Sequence, residues 1–218
     1  MNIITKIEVT KRNNERVNVY IDNEFAFAVS AEIIYKEGIK VNDSINIERI
    51  SEIAKEDNYL KCKATAFKIV ERAFKTEKEI YDKLALKGYD KDTIIKTIYI
   101  LKEYNYINDD SYVKMYIKDK SKTQGTEKIK YTLLRKGIKE ELILEELEKL
   151  ERDYVKEVAL KLAEKKYSIL IKRENDKYKL HQKLYTFLLG KGYSYNIISE
   201  VVKEIINGEI YWKGGVLW

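Results

Sequence analysis

The sequence predicts a mainly α-helical protein of tandem three-helix repeats, with a small β-meander plus helix domain at its N-terminus. Three observations lead there. From about Ile47 onward the apolar residues recur at helical spacing. A six-position apolar pattern built around a Lys-Gly pair occurs three times in that stretch. Only the first thirty or so residues alternate with the period of two that a half-buried strand shows.

The N-terminal elements come first. Ile3 to Val9 alternates as a strand, and the polar run from Lys11 to Glu15 reads as a turn. Val17, Val19 and Ile21 alternate with Asn18 and Tyr20 as a second strand. Asp22-Asn23-Glu24 supplies another turn, and Phe25, Phe27 and Val29 mark a third strand. Ser30 caps a short helix that ends at Gly38. Residues 1–57 therefore form a small cap for the apolar end of the helical array.

The clearest helix then runs from Asn58 to Lys75. Ala66, Phe67, Val70, Ala73 and Phe74 gather on its inner side, and Lys61, Lys68, Arg72 and Lys75 form a stripe opposite. Thr76 followed by Glu79 is a capping box, the start of the next helix. Ile80 and Leu84 share its face, Lys87-Gly88 stops it, and Asp90 caps a third helix bearing Ile94, Ile98 and Leu101. The positions Ile80, Leu84, Gly88, Ile94, Ile98 and Leu101 match Ile129, Leu133, Gly137, Ile143, Leu147 and Leu150 without a gap. They match again Leu184, Leu188, Gly192, Ile198, Val202 and Ile205. Gly-to-Gly spacings of 49 and 55 residues are those of stacked helical units that share a core. The expected divisions are 58–108, 109–153 and 154–208 for the repeats, with 209–218 a tail carrying two Trp. Asn108 or Asp109 caps the second repeat's first helix. In the third repeat Val158, Leu162 and Ile169 point inward, Asn175-Asp176 precedes a helix over 178–189, and Asn207-Gly208 is the last stop.

Composition narrows the chemistry. Pro is absent and 36% of residues are charged, which suits long uninterrupted helices. No apolar run nears the roughly 20 residues of a membrane span, and no secretion segment opens the chain, so a cytoplasmic protein is expected. Cys62 is the sole cysteine, a small residue on a helix. His181, the sole histidine, lies among lysines on an outer helix face. No metal-binding cluster, nucleophile–base pair or phosphate loop is present, since the Gly125 loop lacks both the strand and the GK[ST] order. Asp109 and Asp110 are read as helix-start acids rather than metal ligands. Neither catalysis nor a cofactor is expected.

Charge is uneven. Residues 1–58 carry a net −3 and residues 59–218 a net +9. A basic helical array points to nucleic acid or nucleoprotein. Besides the stripe of Lys61, Lys68, Arg72 and Lys75, Lys161, Lys165 and Lys172 form one in the third repeat. Lys114, Lys118 and Lys122 form a looser one in the second. Similarly oriented repeats would bring these stripes to one side. Some of the eighteen Tyr occupy core-equivalent places, as Tyr89 and Tyr193 do after their glycines, and core or rim packing is expected for most.

Four stretches resemble one family, RecX, in its long form with an N-terminal extension. They are ITKIEVTKRNNERVNVYIDNEFAFAVS from Ile4, EIYDKLALKGYDKDTIIKTIYILKEYNYINDDSYV from Glu79, GTEKIKYTLLRKGI from Gly125 and KLYTFLLGKGYSYNII from Lys183. Together they follow the family's order over nearly the whole chain. The resemblance implies tandem three-helix repeats in an elongated curved array. It implies a protein without a catalytic site that lodges in the groove of the RecA filament on single-stranded DNA, and a monomer is expected. There it would suppress filament growth, ATP hydrolysis, strand exchange and stimulation of repressor cleavage. It places the family's small residue at Ala64 or Ala66 and its acidic joint at Asn108-Asp109-Asp110. Lys stands here where many members use Arg, which removes bidentate contacts. Two other readings are a helix-turn-helix-like DNA-binding protein and a helical adaptor. The first is disfavoured by the acids at the helix starts after Gly88 and Gly137: Asp90, Asp92, Glu140 and Glu141.

Overall fold

The computed structural model describes residues 2–10 and 13–208. Three strands, β1 (Ile4–Thr10), β2 (Asn13–Ile21) and β3 (Glu24–Ser30), form an antiparallel sheet in the order β1-β2-β3. Val19 faces Ile7 on one side and Phe27 on the other, so the alternating apolar residues collect on one face. Asp22 and Asn23 close the β2–β3 hairpin with φ of 50° and 69°, the left-handed pair that a two-residue loop requires. Asn13 to Glu15 belong to β2, so the expected first turn shrinks toward Lys11 and Arg12, which lie outside the described residues.

Ten helices follow among the described residues: α1 (Ala31–Lys36), α2 (Ile47–Val70), α3 (Glu77–Ala85), α4 (Lys91–Glu103), α5 (Asp109–Lys120), α6 (Thr126–Arg135), α7 (Glu140–Glu148), α8 (Arg152–Leu170), α9 (Lys177–Lys191) and α10 (Tyr195–Ile206). Their starts are chemically explicit. The side chains of Ser30, Asn46, Asp90, Asn108 and Asp176 each accept a backbone N–H from the first turn of α1, α2, α4, α5 and α9 respectively. Thr76 and Glu79 form the reciprocal capping box: Glu79 N–H donates to Thr76 Oγ1 and Thr76 N–H to a Glu79 carboxylate oxygen, both at 3.2 Å.

The chain divides into two compact units, residues 1–74 with 80–107 and residues 75–79 with 108–218. In the first unit, Ile4, Val17, Val19, Val29, Ile33, Ile45 and Ile53 form a core between the sheet and α1 and α2. A second core gathers Cys62, Ala66, Ile80, Leu84, Ile94, Ile98, Leu101 and Ile107. Both cores draw on α2, whose 24 residues run about 36 Å without interruption across residue 57. Asp57, 4% exposed, holds sheet and helix together. Its carboxylate accepts from Ser30 N–H at 2.8 Å and pairs with Arg16 and Lys61. In the second unit one core joins α5, α6 and α7 around Ile117, Ile129, Leu133 and Ile143. Another joins α8, α9 and α10 around Ala159, Leu184, Leu188, Ile198 and Val202. The apolar repeat positions read from the sequence thus supply the cores of three three-helix units, with Leu147 and Leu150 only partly buried and the glycines outside the cores at helix ends.

Two expectations fail. The helix expected over Asn58–Lys75 begins earlier, at Ile47 behind the Asn46 cap, and stops at Val70, because the Thr76 cap starts a new helix and residues 71–75 must turn the chain to reach it. Ala73 and Phe74 accordingly stand exposed. In α8 the buried face is Val155, Ala159 and Ala163, while Val158 and Leu162 are half-buried and Ile169 is exposed. The small alanines let helices approach closely, and the larger side chains move to the rim. The Trp-bearing tail, residues 209–218, lies outside the described residues.

Candidate functional site

The basic residues were the sequence's strongest lead, and their placement is mixed. Lys61 and Lys68 lie on α2, Lys114 and Lys118 on α5, and Lys161 and Lys165 on α8. Arg72, Lys122 and Lys172 sit in the turns that follow those helices, and Lys75 belongs to the segment preceding Thr76. The stripe of four on one helix therefore reduces to Lys61 and Lys68, with Arg72 exposed beyond the helix end. Three of these cations have acidic neighbours: Lys61 with Asp57, Lys161 with Glu157, and Lys114 with Glu146 at 3.9 Å. The Glu157 pair holds the Lys161 ammonium above its ordinary range. Lys68, Arg72, Lys118, Lys122, Lys165 and Lys172 form no ion pair with a described residue and carry the charge a polyanion would meet. Lys75 contributes instead to holding the Glu79 carboxylate charged.

Aromatic residues add surface that periodicity undervalued. Tyr99, Tyr104, Tyr131, Tyr178 and Tyr195 are each more than 60% exposed. The Arg135 guanidinium stands 5.9 Å from the Tyr131 ring, a cation beside a stacking platform. His181 is exposed and stacked on Tyr185, as an outer-face residue should be. Cys62 is fully buried, and burial pushes its thiol up, away from the reactive thiolate. Asp109 accepts the Glu77 N–H at 3.0 Å and Asn108 caps α5, so this acidic joint does structural work. Among the described residues no group of three or more His, Cys, Asp or Glu could hold a metal. No described helix is long and apolar enough to cross a membrane.

The most defined geometry was not legible as a site: the glycine turns. Gly88, Gly137 and Gly192 each follow a helix with φ of 86°, 84° and 85°. Within the second unit two of these turns are closed by a helix start. Thr76 Oγ1 donates to the Lys136 carbonyl at 2.7 Å, and Lys136 Nζ reaches Glu79 at 2.5 Å. Burial opposes charge on Glu79, but Lys136 and the Thr76 N–H outweigh it and hold the carboxyl below its ordinary range. At the other turn Gly125 N–H donates to the Lys191 carbonyl at 3.0 Å and Glu127 N–H to the Gly192 carbonyl at 3.1 Å. A Cβ on Gly125 would lie 2.1 Å from the Gly192 oxygen. Gly125, whose loop lacks the order of a phosphate loop, is a packing requirement. Counted back from the Lys-Gly pairs, Gly125 stands where Thr76 stands, which was the only available clue.

Three-helix repeats with matching glycine turns, preceded in the chain by a three-stranded sheet, define a class of helical-repeat protein. Family models cover the chain in order: the regulatory protein RecX N-terminal domain over residues 2–46, and the first, second and third RecX three-helix domains over 62–98, 108–147 and 152–202. The chain belongs to the RecX family of regulatory proteins. It is 54% identical over 208 residues to the regulatory protein RecX of Clostridium botulinum (strain Eklund 17B / Type B), covering 95% of this chain and 98% of that one. With its counterpart from Clostridioides difficile (strain 630) it shares 36% identity over 213 residues, 97% and 99% of the two chains. A crystal structure of regulatory protein RecX matches with a TM-score of 0.67 and 25% identity, over 92% of this chain and 98% of that one. The crystal structure of RecX from Lactobacillus salivarius matches with a TM-score of 0.59 and 28% identity, over 69% and 97%.

Proposed function

We propose that this protein is a non-enzymatic negative regulator of the RecA recombinase. It binds the RecA filament on single-stranded DNA and restrains filament growth, ATP hydrolysis, strand exchange and coprotease activity. The observation that carries this reading is the ordered match of all four RecX domains from residue 2 to residue 202. The protein works in the cytoplasm as a monomer without cofactor. Residues 1–57 serve as a cap and 58–108, 109–153 and 154–208 as the working repeats.

Contact with the filament uses the exposed cations Lys68, Arg72, Lys118, Lys122, Lys165 and Lys172, with Lys61, Lys114 and Lys161 exchanging their present acidic partners for phosphates or recombinase carboxylates. The Lys161–Glu157 pair is exposed and intrahelical, worth only a few tenths of a kcal/mol, so its exchange is cheap. A regulator that meets phosphates must bind more weakly as salt rises. Acidic side chains lead the helix starts after Gly88 and Gly137, and the Asp90 carboxylate is engaged by Thr93 N–H and Asn58, so these helices are poorly suited to reading duplex bases.

The test is the ATPase of RecA on single-stranded DNA with increasing amounts of this protein. Hydrolysis falls at near-stoichiometric amounts, and the protein alone hydrolyses no ATP. A recombinase that keeps its full rate in a large excess of folded protein refutes the reading. Changing Lys68, Arg72 and Lys118 together to Glu weakens filament binding and flattens its salt dependence while helical content holds. Wild-type affinity and salt slope in that variant would move the contact elsewhere.

A further inference from the structure

Among the described residues three turns at matching repeat positions share one construction, and two of the three are covered; Gly38 and Gly208, which follow α1 and α10, also take positive φ with nothing within 4 Å of an added Cβ, but lie outside the repeat pattern. At Gly137 an added Cβ would come within 2.5 Å of Lys78, and at Gly192 within 2.2 Å of Lys128, because a helix start lies against each glycine. At Gly88 the backbone is the same and a lysine again precedes the glycine, but a Cβ would meet nothing within 4 Å. Leu86, next to this turn, is 87% exposed, whereas Arg135 and Gly190 hold the matching positions at the covered turns. Among the described residues no backbone N–H beyond the helix itself donates to the carbonyl of Lys87 or Gly88.

We infer that the Gly88 turn docks the start of a helix from a partner protein. The occupant is defined by what the chain itself places on the two other turns. Its N-cap is Gly, Ser or Thr, donating to the Lys87 carbonyl as Thr76 Oγ1 and Gly125 N–H donate to Lys136 and Lys191. Its first turn lies against Gly88, where the missing side chain gives room. An acid in that turn meets Lys87 as Glu79 meets Lys136. An apolar residue beside it covers Leu86. Carbonyls at the end of α3 carry partial negative charge, which suits the donor-rich start of a helix and not a phosphate. The repeat-equivalent segments of a second copy are not available. Thr76 and Gly125 already occupy turns, and the third repeat's matching position, Leu180, is inside α9 rather than at its start. In the function proposed above the recombinase supplies this helix, and for the partner's identity the inference rests on that reading.

Two measurements on the full chain test it. The variant carrying Leu86→Asp and Lys87→Glu, both exposed changes, should bind RecA filaments about tenfold more weakly or worse, while the added acids beside the end of α3 lower thermal stability only slightly. The photo-crosslinker p-benzoyl-phenylalanine at position 86 should label a recombinase residue in the first turn of a helix. Wild-type affinity in the double variant, or a crosslink to a strand, to DNA or to another copy of this chain, overturns the docking site while leaving the regulatory function standing. A wild-type protein that does not bind filaments removes both.

Discussion

The turns at Gly88 and Gly192 have the same local sequence, Lys-Gly-Tyr, and the same left-handed glycine, yet they do different work. The Gly88 turn ends a helix and faces open space. The Gly192 turn ends a helix and receives another: Gly125 and Glu127 donate to it, and Lys128 Nζ reaches the Gly190 carbonyl at 3.3 Å. At Gly88 the absent side chain meets only a backbone requirement. At Gly192 it also makes room for a neighbour. The second demand comes from residues more than sixty positions upstream, so the same three letters stop a helix in one place and join repeats in another.

The largest effects break this comparison directly. Gly125→Ala should cost on the order of 3 kcal/mol, since a Cβ there collides with the Gly192 backbone and neither side is a flexible side-chain end. Gly192→Ala should cost about as much, combining left-handed strain with a collision on Lys128. Gly88→Ala carries the strain alone and should cost about 1 kcal/mol. Urea denaturation of the three variants measures the ranking. Equal costs at Gly88 and Gly192 would mean that the joint adapts freely and that the distinction is empty.

Next in size is the capping box at the other joint. Thr76→Ala removes both the cap of α3 and the hydroxyl that donates to Lys136, and should cost about 1–2 kcal/mol. Glu79→Gln keeps the shape but not the charge. The Glu79 carboxyl is held below its ordinary value in the folded protein, so its contribution is present above the unfolded pKa near 4.5 and is lost as pH falls through the lower folded value. The wild-type advantage over Glu79→Gln should therefore shrink on acidification through that window. A difference that stays constant down to strongly acidic pH would show that the ion pair with Lys136 adds nothing.

What the sequence disclosed follows the same division. The sheet, the caps at Ser30, Thr76 and Asp90, and helix-ending glycines such as Gly88, Gly137 and Gly192 were legible because each depends on residues close to it in the chain. Gly125 was not, because its neighbour is Gly192. The end of α2 could have been placed better. A cap at Thr76 needs extended backbone before it, which the apolar look of Ala73 and Phe74 obscured. The buried face of α8 was missed because leucine and isoleucine outweigh alanine in any periodicity count, whereas close helix contact favours Ala159 and Ala163. The candidate surface was the least legible part. Charge spacing located the lysines, and the i,i+4 acids Asp57 and Glu157 that engage two of them were legible too, but it could not show that Glu146 on α7 stands near Lys114 on α5.

The tyrosines that follow Gly88 and Gly192 give the smallest and sharpest form of the comparison. Tyr89 is half-buried and its hydroxyl lies 3.0 Å from Thr65 Oγ1. Tyr193 is 2% exposed and its hydroxyl has no hydrogen-bond partner among the described residues. Removing the hydroxyl should therefore act in opposite directions. Tyr89→Phe loses a hydrogen bond and should cost about 1 kcal/mol, whereas Tyr193→Phe removes an unsatisfied buried group and should leave stability unchanged or raise it by up to about 1 kcal/mol. Alkali separates the two further. Burial, reinforced by Tyr154, pushes the Tyr193 phenol up to about 12 from its ordinary 10.0. A folded pKa raised above the unfolded one favours the native state only while the phenol keeps its proton. That contribution is complete below pH 10 and is lost as pH rises from 10 toward 12. Phenylalanine has no proton to lose. Urea midpoints of wild type and Tyr193→Phe should keep a fixed offset up to about pH 10 and then diverge, wild type falling faster. A parallel course through that window would mean that the Tyr193 hydroxyl reaches solvent, and that the closed turn at Gly192 is as open as the one at Gly88.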